Sequence, residues 1–284
     1  MCFKMAYKVC FAISHLGEYG ELGKLLESLE KQSNKDFEVV ICDQSRSNSG
    51  GVLSGESQFS FPTKWICSEP GLSKGRNAAA LASSPDTEFL VFPNVTTRYS
   101  SDFVETISGL APETKLVSFS YFDFVEGKKP VARNKFNSPL SNNIVFENVF
   151  NVMEGAMVIR RLIFLEYGGF DIRLGVGQTS KYKSGEGSDF LLRARADIDA
   201  IAWIPNGVYI WGRSLVKHLN RTEAIAKVRG YAFGYMHVMN AHKFPIFMRM
   251  RSCVGPLINP RTGYDLTLRM VEAYSRLFAF LLNL

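Results

Sequence analysis

Apolar positions along the chain follow two periods. Residues 7–14 (YKVCFAIS) and 37–43 (FEVVICD) are short, nearly unbroken apolar runs, the pattern of strands covered on both faces. Between them Leu22, Leu25, Leu26 and Leu29 recur at i, i+3, i+4 and i+7, which predicts a helix. Residues 64–67 predict a third strand, the alanine-rich 77–83 a helix, and 88–93 (EFLVFP) a fourth strand. The alternation continues with a short helix at 100–109, strands at 115–124 and 153–160, a helix at 161–167, and strands at 201–204 and 208–211. Ser188 is placed to cap a helix running to about residue 196. Residues 44–63 predict loop with a poor helix, 126–150 a polar flap, and 168–171 a sharp turn. This order predicts an α/β fold: a doubly wound, mostly parallel sheet flanked by helices, with ligands at the carboxyl ends of the strands.

Beyond Ser214 the pattern becomes purely helical, with helices expected at 221–243, 245–253 and 264–283. The division expected is therefore a body, 1–213, and a helical appendage, 214–284. Charge sharpens the contrast. The chain carries a net +6, yet the appendage alone holds ten Lys and Arg against Glu223, Asp265 and Glu272, so the body is close to neutral. Aromatic and aliphatic residues from Tyr231 to Met250 alternate there with Arg229, Lys243, Arg249 and Arg251, which predicts contact with an anionic membrane surface. Nucleic acid is not expected as a partner, because the body carries no basic stripe. No apolar run approaches the ~20 residues of a membrane span. The five cysteines form no C-x-x-C pair and no signal peptide is visible, so reduced thiols are expected. The expected location is cytoplasmic, peripheral on the inner face of the plasma membrane.

Candidate chemistry gathers at Gly71-Leu72-Ser73-Lys74-Gly75-Arg76-Asn77, between a strand and a helix. Read as a loop, it places Lys74 and Arg76 beside a helix N-terminus, which suits a phosphate-bearing ligand. Gly17, Gly20 and Gly23 are spaced G-x-x-G-x-x-G, which lacks the pyrophosphate turn of a dinucleotide fold, and no Walker A loop is present. His15, His218, His237 and His242 have no metal-ligand spacing. Asp43 ends a buried strand, where it can accept from a ring N–H, and Glu186 and Asp189 are candidates to take a proton from a hydroxyl.

Together these segments resemble the inverting glycosyltransferases of family 2, which have the GT-A fold. The likeness runs over about residues 7–212. FEVVICDQS (37–45) is similar to the strand ending in the base-binding aspartate, and EPGLSKGRNAAA (69–80) to the G-L-S-x-x-R-N segment, the most specific match. FLVFPNVTTRYSSDFVE (89–105) stands where the family has F-P-D-D-D; EGAMVIRRLIFLEYGGFDIRLGVG (154–177) resembles its acceptor-side segment, and SGEGSDFLLRA (184–194) its G-E-[DE]-x-D helix start. The resemblance implies a nucleotide-diphosphate sugar bound by Ser14, Glu18, Asp43, Ser45, Lys74, Arg76, Asn77, Asn94 and Arg98, with Glu186 and Asp189 facing a saccharide or lipid-linked glycan acceptor.

Two positions depart from the pattern. The metal-binding acids fall at Asn94, Val95 and Thr96, and the usual base falls at Gly187. Mg²⁺ or Mn²⁺ prefers carboxylate oxygens, so the expectation is no metal site and no cofactor, with a divalent ion kept as the alternative whose usual acidic ligands are absent. One consequence is a metal-independent transferase in which Lys74, Arg76, Arg98 and Lys181 or Lys183 stabilise the departing diphosphate. The other is a catalytically inactive GT-A-like subunit that binds or scaffolds in polysaccharide assembly.

Overall fold

The structure is a computed structural model that describes residues 7–17, 19–45, 59–123, 131–132, 140–142, 148–177, 179–198, 200–204, 210–212, 219–259 and 264–282. The apolar runs become β1 (Val9–His15) and β2 (Phe37–Asp43), joined by α1 (Tyr19–Glu30), whose four leucines are all buried. Next come β3 (Thr63–Cys67), α2 (Leu72–Leu81), β4 (Phe89–Val91), β5 (Arg98–Tyr99) and α3 (Phe103–Ser108). They are followed by β6 (Leu116–Phe119), β7 (Tyr121–Asp123), β8 (Val131–Ala132), β9 (Leu140–Asn142) and β10 (Met157–Arg160). The remaining elements are α4 (Arg161–Glu166), α5 (Glu186–Arg193), β11 (Ala200–Ile204), β12 (Ile210–Gly212), α6 (Arg221–Ala241), α7 (Ile246–Ile258) and α8 (Leu266–Leu281).

Eight strands form the main sheet in the order β3-β2-β1-β4-β10-β6-β11-β9. The β3-β2-β1-β4 block and the β6–β11 pair are parallel, whereas β10 runs antiparallel to both β4 and β6. A small second sheet, β5-β12-β7-β8, lies beside it. Period-two alternation divides the core. Phe11, Ile13, Val39, Ile41 and Val91 face α1 and α3; Cys10, Ala12, Val40, Leu90 and Ile159 face Ala79, Ala80, Phe164 and Phe190 of the other helical layer. Both faces are dry, which is why these strands read as continuous apolar runs.

Four boundaries differ from expectation. The stretch at 115–124 is two strands, broken at Ser120, that belong to different sheets. The segment at 153–160 begins with a 3-10 turn, Glu154–Ala156, before β10. Helix α2 starts at Leu72 rather than near residue 77, because Gly71, at φ 138°, acts as its N-cap. Helix α5 starts at Glu186 behind a left-handed Gly185, so Ser188 lies inside the helix and does not cap it. A Cβ at Gly185 would sit 2.7 Å from Val238 Cγ2 and 3.2 Å from the Gly234 carbonyl, so α6 closes in where only glycine fits. Met236, Val238, Met239, Phe244, Cys253, Ala279 and Phe280 share one buried cluster with the sheet. The expected division at 213/214, the poor helix within 44–63 and most of the flap at 126–150 lie outside the described residues.

Candidate functional site

The carboxyl ends of β1, β2 and β4 gather two polar clusters, bridged by α2. The first surrounds Asp43, which is 7% exposed. Its Oδ1 accepts from Ser45 N at 2.9 Å and Ser45 Oγ at 2.7 Å, and its Oδ2 accepts from the Tyr19 hydroxyl at 2.9 Å. His15, directly opposite on β1, brings Nδ1 to 3.4 Å from Oδ1 and packs on Tyr19 with ring centroids 4.5 Å apart and planes tilted by 59°. Burial acts to raise the Asp43 carboxyl, but donation from Ser45 and Tyr19 and the nearby His15 outweigh it and hold the group below its ordinary value. The carboxylate is thus fixed as an acceptor, with one lone-pair site left at Oδ2.

Ser14 has a structural task. Its hydroxyl donates to Gln44 Oε1 at 3.2 Å, and Gln44 Nε2 donates to the carbonyls of Glu69 (2.7 Å) and Gly71 (3.0 Å), pinning the start of α2 to the end of β2. A Cβ at Gly75 would lie 2.3 Å from Ser14 Oγ, so this glycine lets α2 pack directly on β1. Glu18 lies outside the described residues.

The segment read as a phosphate loop is therefore the first turns of α2, and its open N-terminus is narrowed from within. Leu72 N donates to the Val176 carbonyl at 2.9 Å, and Ser73 Oγ donates to the Leu174 carbonyl at 2.7 Å. Arg76 corrects the expectation most sharply. It is 1% exposed and turned inward, donating to Asn94 Oδ1 (3.0 Å) and the Phe92 carbonyl (3.3 Å) and pairing with Glu186 Oε1 at 3.3 Å. Asn77 is a clamp: its side chain donates to the Phe170 carbonyl at 2.8 Å and accepts from Phe170 N at 2.9 Å. Lys74 makes no hydrogen bond or ion pair among the described residues. Arg98 is spent on Glu21 (2.6 Å) and on the carbonyls of Val95 and Thr97. Lys181 lies over the Tyr182 and Phe233 rings, and Lys183 lies against Gly230 of α6.

The second cluster is built on Arg76. Glu186, buried in the first turn of α5, faces Arg76 on one side and Glu154 on the other. Glu154 is half-buried, and its Oε1 accepts from Gly187 N at 3.2 Å. Desolvation, reinforced by the Glu154 charge and opposed by Arg76, raises the Glu186 carboxyl from 4.5 to about 7. A carboxyl of this kind is suited to proton transfer near neutrality. Asp189 is placed differently: Oδ2 accepts from Arg193 Nε at 2.9 Å and Oδ1 meets His242 Nε2 at 2.8 Å. Burial is outweighed there by His242 and Arg193, which hold the group below its ordinary value.

The donor set at 94–96 does not fit a divalent ion. Asn94 offers one amide oxygen, already held by a guanidinium, beside Val95 and Thr96. Among the described residues no group of three or more His, Cys, Asp or Glu gathers in a way that would hold a metal.

Linkage gives a first prediction. Buried and facing Glu154, and only partly relieved by Arg76, Glu186 prefers its proton in the folded state. It therefore supports stability fully below about pH 4.5, and that support is lost as pH rises through about 7, by no more than about 3 kcal/mol. Urea denaturation at about pH 5 and about pH 8 should show this fall in the native protein and not in Glu186→Gln; an equal pH dependence in both would contradict it.

Glu154, His15, Tyr19 and Gln44 were not among the residues expected at the site. A signal was available for Glu154, an acid immediately before an apolar run, and for His15, which ends an apolar strand.

No protein-family model and no curated protein matches the chain. Solved structures do. Residues 1–349 of S. aureus TarS in complex with UDP-GlcNAc superpose with a TM-score of 0.60 at 14% identity, over 96% of this chain and 90% of that one. A longer S. aureus TarS structure gives 0.59 at 15% identity, over 93% of this chain; this chain spans 55% of its length. The mannosyltransferase PcManGT from Pyrobaculum calidifontis, in complex with GDP-Man and Mn²⁺, gives 0.57 at 12% identity, over 98% and 73%. At these identities the likeness establishes the fold, which is GT-A-like.

Proposed function

We propose that the chain moves a sugar from a nucleotide-diphosphate sugar to a saccharide hydroxyl by single displacement with inversion. The observation that carries this reading is the Glu154–Glu186 carboxylate pair set over Arg76 at the carboxyl end of the sheet, with the Glu186 carboxyl raised to about 7. The fold supports it, since similar structures hold UDP-GlcNAc or GDP-Man. Asp43, aimed by Ser45 and Tyr19, takes the base. Of the cations expected at the diphosphate, Lys74 has no hydrogen bond or ion pair among the described residues and meets it, while Arg76 holds Glu186. The hydroxyl proton passes to that pair, its oxygen forms the new bond to the anomeric carbon, and the bond from that carbon to the diphosphate breaks. No divalent ion is used. The test is donor turnover with and without chelator. Unchanged turnover is expected; loss on chelation removes the metal-free version. Absence of nucleotide-sugar binding at millimolar concentration removes the transferase and leaves a non-catalytic assembly subunit.

The acceptor in this reading is lipid-linked, and the protein sits on an anionic membrane, here taken to be the inner face of the plasma membrane. What supports it is the outer face of α7 and α8. Helix α6, expected to lie on the membrane, is instead buried: Met236, Val238 and Met239 share a cluster with the sheet, and Ala224 and Val228 pack with Tyr264 and Leu268. Phe247, Met250 and Leu257 of α7 and Met270, Tyr274 and Leu277 of α8 are exposed, around an apolar groove of about 310 Å³. Within the two helices no described acid is exposed: Glu272 is buried against Arg276, and the exposed Asp265 at the start of α8 is paired with Arg221, whereas Arg251 on α7 and Lys243 before it are exposed. A second copy would set like charges together, whereas an anionic bilayer complements them. No helix among the described residues is long and apolar enough to cross a membrane, so the pair would lie in the interface. Vesicles containing phosphatidylglycerol should bind the protein, and Met250→Asp with Leu277→Asp should weaken binding roughly a hundredfold or more. Equal sedimentation of native and variant protein with those vesicles would exclude this face.

A further inference from the structure

We infer that Glu154 is the catalytic carboxylate that meets the acceptor hydroxyl, occupying from the sheet the space that a side chain on α5 at position 187 would fill. The assignment rests on the transferase reading. A Cβ at Gly187 would lie 2.5 Å from Glu154 Oε1, 2.8 Å from its Cγ and 2.9 Å from its Cδ. Position 187 and Glu154 thus share one volume, and glycine at 187 is the condition for Glu154 to be there.

Topology explains how it arrives. The parallel strands bring their carboxyl ends to the site. Because β10 runs antiparallel to β4 and β6, its amino-terminal side reaches that same edge, and Glu154 stands three residues before it begins. The Gly187 N–H, in the first turn of α5, aims one carboxylate oxygen.

Competition among the local acids is settled by their partners. Asp189 has an oxygen on Arg193 and another on His242. Glu186 is 5% exposed and faces Arg76, so it is a positioning residue that stands between the guanidinium and Glu154. Glu154 is half-buried and has one oxygen aimed by the Gly187 N–H, so it combines an aimed oxygen with a solvent side. In the step, the acceptor O–H bond breaks toward Glu154, the acceptor oxygen joins the anomeric carbon, and the diphosphate leaves with the electron pair of the broken C–O bond.

The test moves the carboxylate back to the helix. Full-length native protein, Glu154→Ala, Gly187→Asp and the double variant are compared for turnover of UDP-GlcNAc and GDP-Man as probes, for binding of the same probes, and for melting temperature. Glu154→Ala should lose roughly 10²–10⁴-fold in rate with probe binding kept. Gly187→Asp alone should melt lower, because its side chain collides with Glu154. The double variant should melt near Glu154→Ala and recover rate by roughly tenfold or more. An active native protein whose Glu154→Ala variant keeps its rate overturns the assignment of Glu154 alone. So does a Gly187→Asp penalty of equal size with and without Glu154. Native protein that turns over neither probe overturns the transferase reading itself.

Discussion

Turnover falls by roughly 10²–10⁴-fold when Glu154 and Glu186 are both replaced by glutamine, while nucleotide-sugar affinity stays close to native. The amides keep the shape of the cluster and leave Arg76 its acceptors on Asn94 and the Phe92 carbonyl, but they cannot take a proton. Binding is spared if, as proposed, the base and diphosphate are held at Asp43 and on the Lys74 side of α2. Asp189→Asn, by contrast, disturbs Arg193 and His242 and reads as a stability change. Stopped assays and calorimetric titration on the same preparations separate the two: a double amide that turns over at the native rate would remove the carboxylate pair from the chemistry.

Replacing Arg76 by methionine costs about 3–5 kcal/mol of stability near pH 8, the range for breaking a buried ion pair by removing one partner. The guanidinium is 1% exposed and lies 5.8 Å from the Phe170 ring, so no water replaces it. What remains is Glu186, buried beside Glu154 with no cation. Below about pH 7 Glu186 carries its proton, and the cost shrinks. The companion change Glu186→Gln removes the stranded charge, so the double variant loses less than the sum of the singles. Urea unfolding of the four proteins at two pH values tests this; a cost below about 1 kcal/mol at every pH would mean that Arg76 is not the keystone of the cluster.

How much of this was legible follows from what each signal encodes. Strands β1 and β2 were readable because burial on both faces leaves an unbroken apolar run, and α1 because its leucines keep one stripe. The start of α2 was not. Gly71 and Gly75 look like loop residues, yet Gly75 is glycine because Ser14 lies against it, a contact across 61 positions of chain. Arg76 reads as facing a diphosphate for the same reason, since its partner Glu186 is 110 positions away. Ser188 resembled a helix cap, but the left-handed Gly185 begins the helix earlier. Mixed aromatic and basic residues made α6 look like a membrane helix; its glycines at 230 and 234 instead admit Lys183 and Ser184. Glu186 was legible as chemistry, while Glu154 depended on the direction of β10, which no local pattern reveals.

The central claim is that the Glu186 proton, held to about pH 7 beside Glu154, gates sugar transfer, and the pH dependence of kcat/KM in native protein and Glu186→Gln tests it most directly. The account predicts a native rate that rises through about pH 7, as Glu186 loses its proton, and a variant from which that limb is gone. A limb at the same pH in both proteins, or no limb in the native one, would contradict it.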